Sequence, residues 1–253
     1  MTTFGLHTVR LGVRDLDRST HFYRDLLGLA DGRVELTEVG PDSTIGGWVN
    51  DDLQGGVRHL GMKVADVDEQ IRRLESAGVT VLSPPMDVLG DVRIAFFLDP
   101  DGARLEFIQG DLNYQVVHSP EAPADLAPHD APRFDHVAIT VADLSSTLRF
   151  YCDGLGFEMI GQIRHHDDRR GFLMTYLRAG PAVLEVFSFD VPTAANPVPP
   201  VAAPLVGFRS VEVSAADVPE TVERAVAAGG RVLPDATSLL DPDGVVVTIR
   251  SAS

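Results

Sequence analysis

The 253-residue chain lacks most of the features that advertise a function at sight. Its single cysteine, Cys152, excludes an internal disulfide framework and fits a reducing, cytoplasmic setting. Following "RFY" in a helical stretch, it reads as a packed residue rather than a nucleophile. No apolar run approaches membrane-spanning length, and Met1–Arg10 has no basic start followed by an apolar stretch. Neither a membrane partner nor a signal peptide is therefore expected. No glycine-rich phosphate loop, P-loop or nucleophile elbow occurs, which argues against nucleotide cofactors and serine hydrolysis. Lysine is nearly absent: of 21 basic residues only Lys63 is Lys, a bias that reads as codon usage in a GC-rich bacterial genome. The net charge of −16 argues against a nucleic-acid partner, since phosphate binding draws on clustered cations.

What is present is an ordinary globular composition, 44% hydrophobic and 23% charged, long enough for one large or two small domains. It is also repetitive. "LHTVRLGVRDLDRSTHFYRDLLGL" returns as "DHVAITVADLSSTLRFYCDGLGF", with His7 on His136 at an offset of 129 and Phe22-Tyr23 on Phe150-Tyr151 at 128. "DPDGARLEF" returns as "DPDGVVVTI", a structural turn followed by a strand. Two further strand–helix units, 57–78 and 206–229, end in alanine-glycine stops. The expected fold class is α+β: four βαβββ modules in two halves, 1–117 and 134–253, joined by the Pro/Ala-rich linker 118–133. The offset jumps from 128 at Gly28 to 150 at Glu35, so module one is expected to lack a hairpin after its helix.

The modules share a chemical pattern. Their opening strands supply His7, His59, His136 and Ser210; their closing strands supply Glu35, Glu106, Glu185 and Thr248. Histidine and carboxylate thus recur together in three modules and vanish together in the fourth. Buried carboxylates are costly unless paired or bound to a cation, and a divalent metal would serve them all.

With these motifs the chain resembles the vicinal oxygen chelate superfamily, which includes glyoxalase I, methylmalonyl-CoA epimerase, extradiol dioxygenases and bleomycin resistance proteins. The resemblance rests on "RFYCDGLGF", the "DPDG" turns and "VELTEVGPDSTIGGWVNDDLQGGVRHLGMKV". The last of these is similar to methylmalonyl-CoA epimerases in its 24-residue spacing from Glu35 to His59. It implies two domains with cupped mixed sheets, each cup closed by two modules whose first and last strands carry metal ligands. Sequential pairing would unite His7, Glu35, His59 and Glu106, and is expected because His7 and Glu35 both survive the deletion. Pairing modules two and three would instead unite His59, Glu106, His136 and Glu185.

Two imidazoles and two carboxylates suit one divalent ion, Mn²⁺, Co²⁺, Ni²⁺, Fe²⁺, Mg²⁺ or Zn²⁺. Such an ion could stabilise an enediolate while Glu35 or Glu106 moves a proton on the adjacent carbon. The expected activity is that of an epimerase or isomerase, or a glyoxalase-type lyase, on a small hydroxy-carbonyl metabolite. His7, His59 and Glu106 alone would suit an extradiol Fe²⁺ dioxygenase, though Glu35 counts against it. A non-enzymatic binding cup of the bleomycin-resistance type is a third reading, to which the 7% aromatic content lends little. Lys63 could reach a substrate anion, although a stem lying along the strand end is the commoner outcome. Trp48 would either wall the cup or join the core, and "RHHDDRR" (164–170) reads as a solvated hairpin tip. Homodimerisation is compatible with the superfamily and has no mark in the sequence.

Overall fold

The computed structural model describes residues 5–29, 32–44, 51–88, 92–119, 131–198 and 205–252. Module one runs β1 (Gly5–Val13), α1 (Leu16–Thr20), a π-helical turn (His21–Leu26) and β2 (Val34–Glu38). Module two runs β3 (Gly56–Lys63), α2 (Val67–Ser76), β4 (Met86–Val88), β5 (Val92–Leu98) and β6 (Arg104–Gln109), with the short β7 (Val116–Val117) after it. Module three runs β8 (Arg133–Val141), α3 (Leu144–Leu148), a second π-helical turn (Arg149–Gly154), β9 (Glu158–His165), β10 (Phe172–Ala179) and β11 (Ala182–Phe189). Module four runs β12 (Gly207–Ala215), α4 (Val218–Ala227), β13 (Arg231–Val232), β14 (Ser238–Leu240) and β15 (Val246–Ser251). Among the described residues no helix is long and apolar enough to cross a membrane.

Local chemistry starts and stops the helices as the repeat predicts. Asp15, Asp66, Asp143 and Asp217 each sit in extended backbone and accept a backbone N–H of the first turn. Gly28 and Gly156 follow the π-helical turns with φ of +79° and +78°, a left-handed conformation that glycine adopts without steric penalty.

In every module the first and last strands pair in parallel: β1 with β2, β3 with β6, β8 with β11 and β12 with β15. Module one therefore keeps its ligand-position strands and lacks the intervening hairpin among its described residues. The modules then join across the two halves. One sheet has the order β13-β14-β15-β12-β1-β2, the other β4-β5-β6-β3-β8-β11-β10-β9-β7. The seams are antiparallel, β1 on β12 and β3 on β8. This corrects the expectation that each cup belongs to one sequence half. Most of the expected linker, residues 120–130, lies outside the described residues.

The halves are nonetheless tied internally, through helices rather than sheets. The π-helical turns bury Phe22-Tyr23 and Phe150-Tyr151. Tyr23 donates to Asp99 of the first "DPDG" turn at 2.9 Å, and Tyr151 donates to Asp241 of the second at 2.9 Å. Alternation along the central strands divides their faces. Leu60 and Met62 of β3, and Val137 and Ile139 of β8, are fully buried in one continuous apolar core. His59 and Gly61, and His136 and Ala138, fall on the opposite face, which forms the cup.

Candidate metal centre

The β3–β8 seam decides which donors meet. His59 of β3, Glu106 of β6, His136 of β8 and Glu185 of β11 are all buried, and one donor atom from each lies within 4.8 Å of the others. His59 Nε2 stands 3.1 Å from His136 Nε2 and 3.1 Å from Glu106 Oε2. His136 Nε2 stands 2.9 Å from Glu106 Oε2, and Glu185 Oε2 lies 3.6 and 3.7 Å from the two imidazole nitrogens. Donors about 2.1 Å from one ion stand roughly 3.0–3.4 Å apart, so this spacing fits a single divalent cation. The chemistry of the set fits as well: two imidazole nitrogens and two carboxylate oxygens, with no thiolate.

The surroundings orient the donors. Asp135 Oδ2 lies 2.8 Å from His136 Nδ1, which turns Nε2 towards the other donors. Burial alone would lower the His136 pKa, but hydrogen bonds with Asp135 and Glu106 and the charge of Glu185 hold it well above its ordinary value. Burial alone would raise Glu106; the charge of His59 and hydrogen bonds from both imidazoles hold it well below the usual carboxylate range. Tyr176 faces Glu185 across the β10–β11 ladder, and its hydroxyl donates to Met174 Sδ at 3.5 Å. Gly61 makes the close approach of β3 and β8 achievable, because a Cβ there would lie 2.0 Å from His136 Cε1.

The sequentially paired set does not assemble. His7 and Glu35 belong to the other sheet, where Arg33 Nη1 lies 3.2 Å from His7 Nδ1. Arg10 binds the half-exposed Glu35 at 2.8 Å and Glu212 at 3.3 Å, while Arg250 binds Glu212 at 2.8 Å. Glu212 stands where the repeat places Gly61, and Ser210 and Thr248 stand where it places a histidine and a glutamate. Guanidinium groups thus neutralise the carboxylates of the second cup, and Glu35 has no part in the first. The second half, expected to hold no site alone, supplies two of the four donors of the joint one.

A cavity of about 190 Å³ opens beside the four-donor set, lined by Ile94, Phe96, Ile108, Phe172, Met174 and Phe187 among others. Lys63 does not line it; the Lys63 ammonium donates to the Gly110 carbonyl and lies 3.1 Å from Asp111. Trp48 lies outside the described residues. The lining includes polar side chains that the repeat did not single out: Asp52, Arg58, Arg104 and His165. Two of them had a signal, since Arg58 adjoins His59 and Arg104 shares a strand face with Glu106. His165 and Arg170 come from the loop read as a solvated tip. His165 stacks on Phe172 at 4.3 Å, and Arg170 reaches Asp52 at 3.0 Å.

Comparison with known proteins shows the family. Residues 5–107 and 133–249 match the family model described as the Glyoxalase/Bleomycin resistance protein/Dioxygenase superfamily. A lactoylglutathione lyase of Neisseria meningitidis is 35% identical over 124 residues, 41% of this chain and 88% of that protein. A metapyrocatechase of a Pseudomonas species is 29% identical over 180 residues, covering 64% of this chain and 58% of that protein. The crystal structure of glyoxalase I from Zea mays superposes with a TM-score of 0.70 at 21% identity, covering 98% of this chain and 92% of that one. That last likeness is one of fold.

Proposed function

This chain belongs to the glyoxalase/bleomycin resistance/dioxygenase superfamily, as a metal-dependent enzyme of the glyoxalase type, and on that premise we propose a specific chemistry for it. It isomerises or epimerises a small hydroxy-carbonyl compound by moving a proton at the carbon next to a carbonyl. The observation that carries this reading is the convergence of His59, Glu106, His136 and Glu185 on one point at the floor of an apolar cavity. A divalent ion held by these four side chains supplies Lewis acidity that polarises the carbonyl. Glu106 and Glu185 are the carboxylates within reach of the reacting carbon, and either can take a proton from one face and return it. Phe96, Phe172, Met174 and Phe187 keep bulk water away from the transfer. The partner is a small molecule, and the lone Cys152 supports a reducing, cytoplasmic setting.

The metapyrocatechase relative supports a second reading, ring cleavage with O₂. The fourth donor weighs against it, because that chemistry normally uses two histidines and one carboxylate. Two assays on the metal-reconstituted chain separate the readings. Hydroxy-carbonyl substrates are expected to exchange a carbon-bound hydrogen in D₂O, with loss of exchange in Glu106→Gln and Glu185→Gln. Stoichiometric O₂ consumption with a catechol, and no exchange, would overturn the isomerase proposal.

A further inference from the structure

At the rim of the same cavity three guanidinium groups surround one carboxylate. Arg58 Nη2 lies 2.7 Å and Arg104 Nη1 2.9 Å from Asp52 Oδ1, while Arg170 Nη1 lies 3.0 Å from Asp52 Oδ2. Aromatic faces hold two of them: Arg58 lies 3.8 Å over the Phe187 ring and Arg104 4.0 Å over Phe96. Arg58 is only 8% exposed, and its Nε is buried with no hydrogen-bond acceptor among the described residues. An ordinary surface cluster of arginines has neither property.

Asp168 takes part of the Arg170 charge at 2.6 Å, so Asp52 and Asp168 face three guanidiniums. The other carboxylates lining the cavity are Glu106 and Glu185. On the reading given above, a divalent ion takes up the charge of those two glutamates. Among the described residues three guanidiniums then face two carboxylates beside the cavity, an arrangement that favours an incoming anion.

We propose that Arg58 and Arg104 form an anion subsite that holds a carboxylate or phosphate group of the substrate, with Asp52 fixing the two guanidinium planes. The proposal rests on the reading of the four-donor set as the reaction centre. It also limits the substrate. Arg58 adjoins His59, and Arg104 precedes Glu106 by two residues on one strand face, a rise of roughly 7 Å. The anionic group must lie within a few bonds of the reacting carbonyl, as it does in a short oxo- or hydroxy-acid or a triose phosphate. Guanidinium forks suit either anion, because both accept paired N–H donors.

The test is calorimetric titration of the manganese-loaded chain with glycolate and, separately, with inorganic phosphate. Wild type, Arg104→Gln and Arg58→Gln are compared at measured metal content. The expected result is that one of the two probes binds the wild type and binds both variants about tenfold or more weakly, with metal content unchanged. The probe that shows this dependence identifies the anion as carboxylate or phosphate. Binding of neither probe to the wild type overturns the proposal, and so does equal binding to wild type and Arg104→Gln. Should Arg58→Gln not fold, Arg104→Gln decides alone, since its side chain is the more peripheral. A chain that takes up no metal would refute the preceding reading itself, and the subsite proposed on it would fall with it.

Discussion

At Gly61 a side chain as small as that of alanine would place its Cβ 2.0 Å from Cε1 and 2.2 Å from Nε2 of His136. One of the two must move, and the backbone of Gly61 lies in the middle of a sheet. The imidazole is therefore the part displaced, and with it one of the four donors. Gly61→Ala is expected to stay folded while its affinity for a divalent ion drops about tenfold or more, as measured by competition with a chelating dye. Unchanged affinity would mean that His136 does not take part in holding the ion. The same glycine bears on module pairing, which the sequence left open. A glycine within an otherwise full strand signals a close backbone or side-chain approach, and at the matching place in module four stands Glu212. The four donors were legible one by one because the repeat sets each on the same strand position. Arg58, Arg104 and Asp135 were not, because charged residues beside a ligand are common on any strand; the cavity singles out the two arginines and the contact with His136 Nδ1 singles out Asp135.

Among the elements, the helices and the "DPDG" turns form two equivalent ties. Asp99 accepts the backbone N–H groups of Asp101 and Ala103 and the hydroxyl of Tyr23; Asp241 accepts those of Asp243 and Val245 and the hydroxyl of Tyr151. Removing one hydroxyl leaves a buried carboxylate short of a donor. Tyr151→Phe is expected to cost about 1–3 kcal/mol in urea unfolding. The Asp241 pKa is pushed up to about 7 by burial, with the charge of Asp243 adding to it. Its unfolded value is about 3.9. The folded state thus binds this proton more tightly, so the contribution to stability is full below about pH 4 and is lost as pH rises through about 7. Asp241→Asn keeps a neutral group there, and its stability is expected to change less between pH 4 and 7 than that of the wild type. An equal slope in the two proteins would show that Asp241 does not carry the effect. These ties were half legible: the aromatic pairs and turns were evident as repeats, whereas their contact depends on helix docking that periodicity does not encode.

For the molecule as a whole, the sheets cross the sequence halves while the helix–turn ties stay within them. The strand order could not be read from the sequence, because β1 and β3 carry the same alternation and either could meet β12 or β8 with its apolar face inward. The choice is made by side chains far apart in the chain, such as Gly61 against His136, and the arginine network of the second cup fills the place of an ion there. Each half alone would hold one histidine–carboxylate pair of the four-donor set and leave an open edge on both of its seam strands. Residues 1–117 and 134–253 produced separately are expected to bind a divalent ion weakly, and their mixture to recover the affinity of the intact chain. Full affinity in either half by itself would contradict a site built across both.

The measurement that bears most directly on the shared centre is the metal content of four variants purified side by side with the wild type. His7→Ala and Glu35→Gln are expected to retain about one equivalent of divalent metal per chain, because arginines hold those positions in the other sheet. His136→Ala and Glu185→Gln are expected to lose it. Loss of the ion in His7→Ala with full retention in His136→Ala would contradict the account.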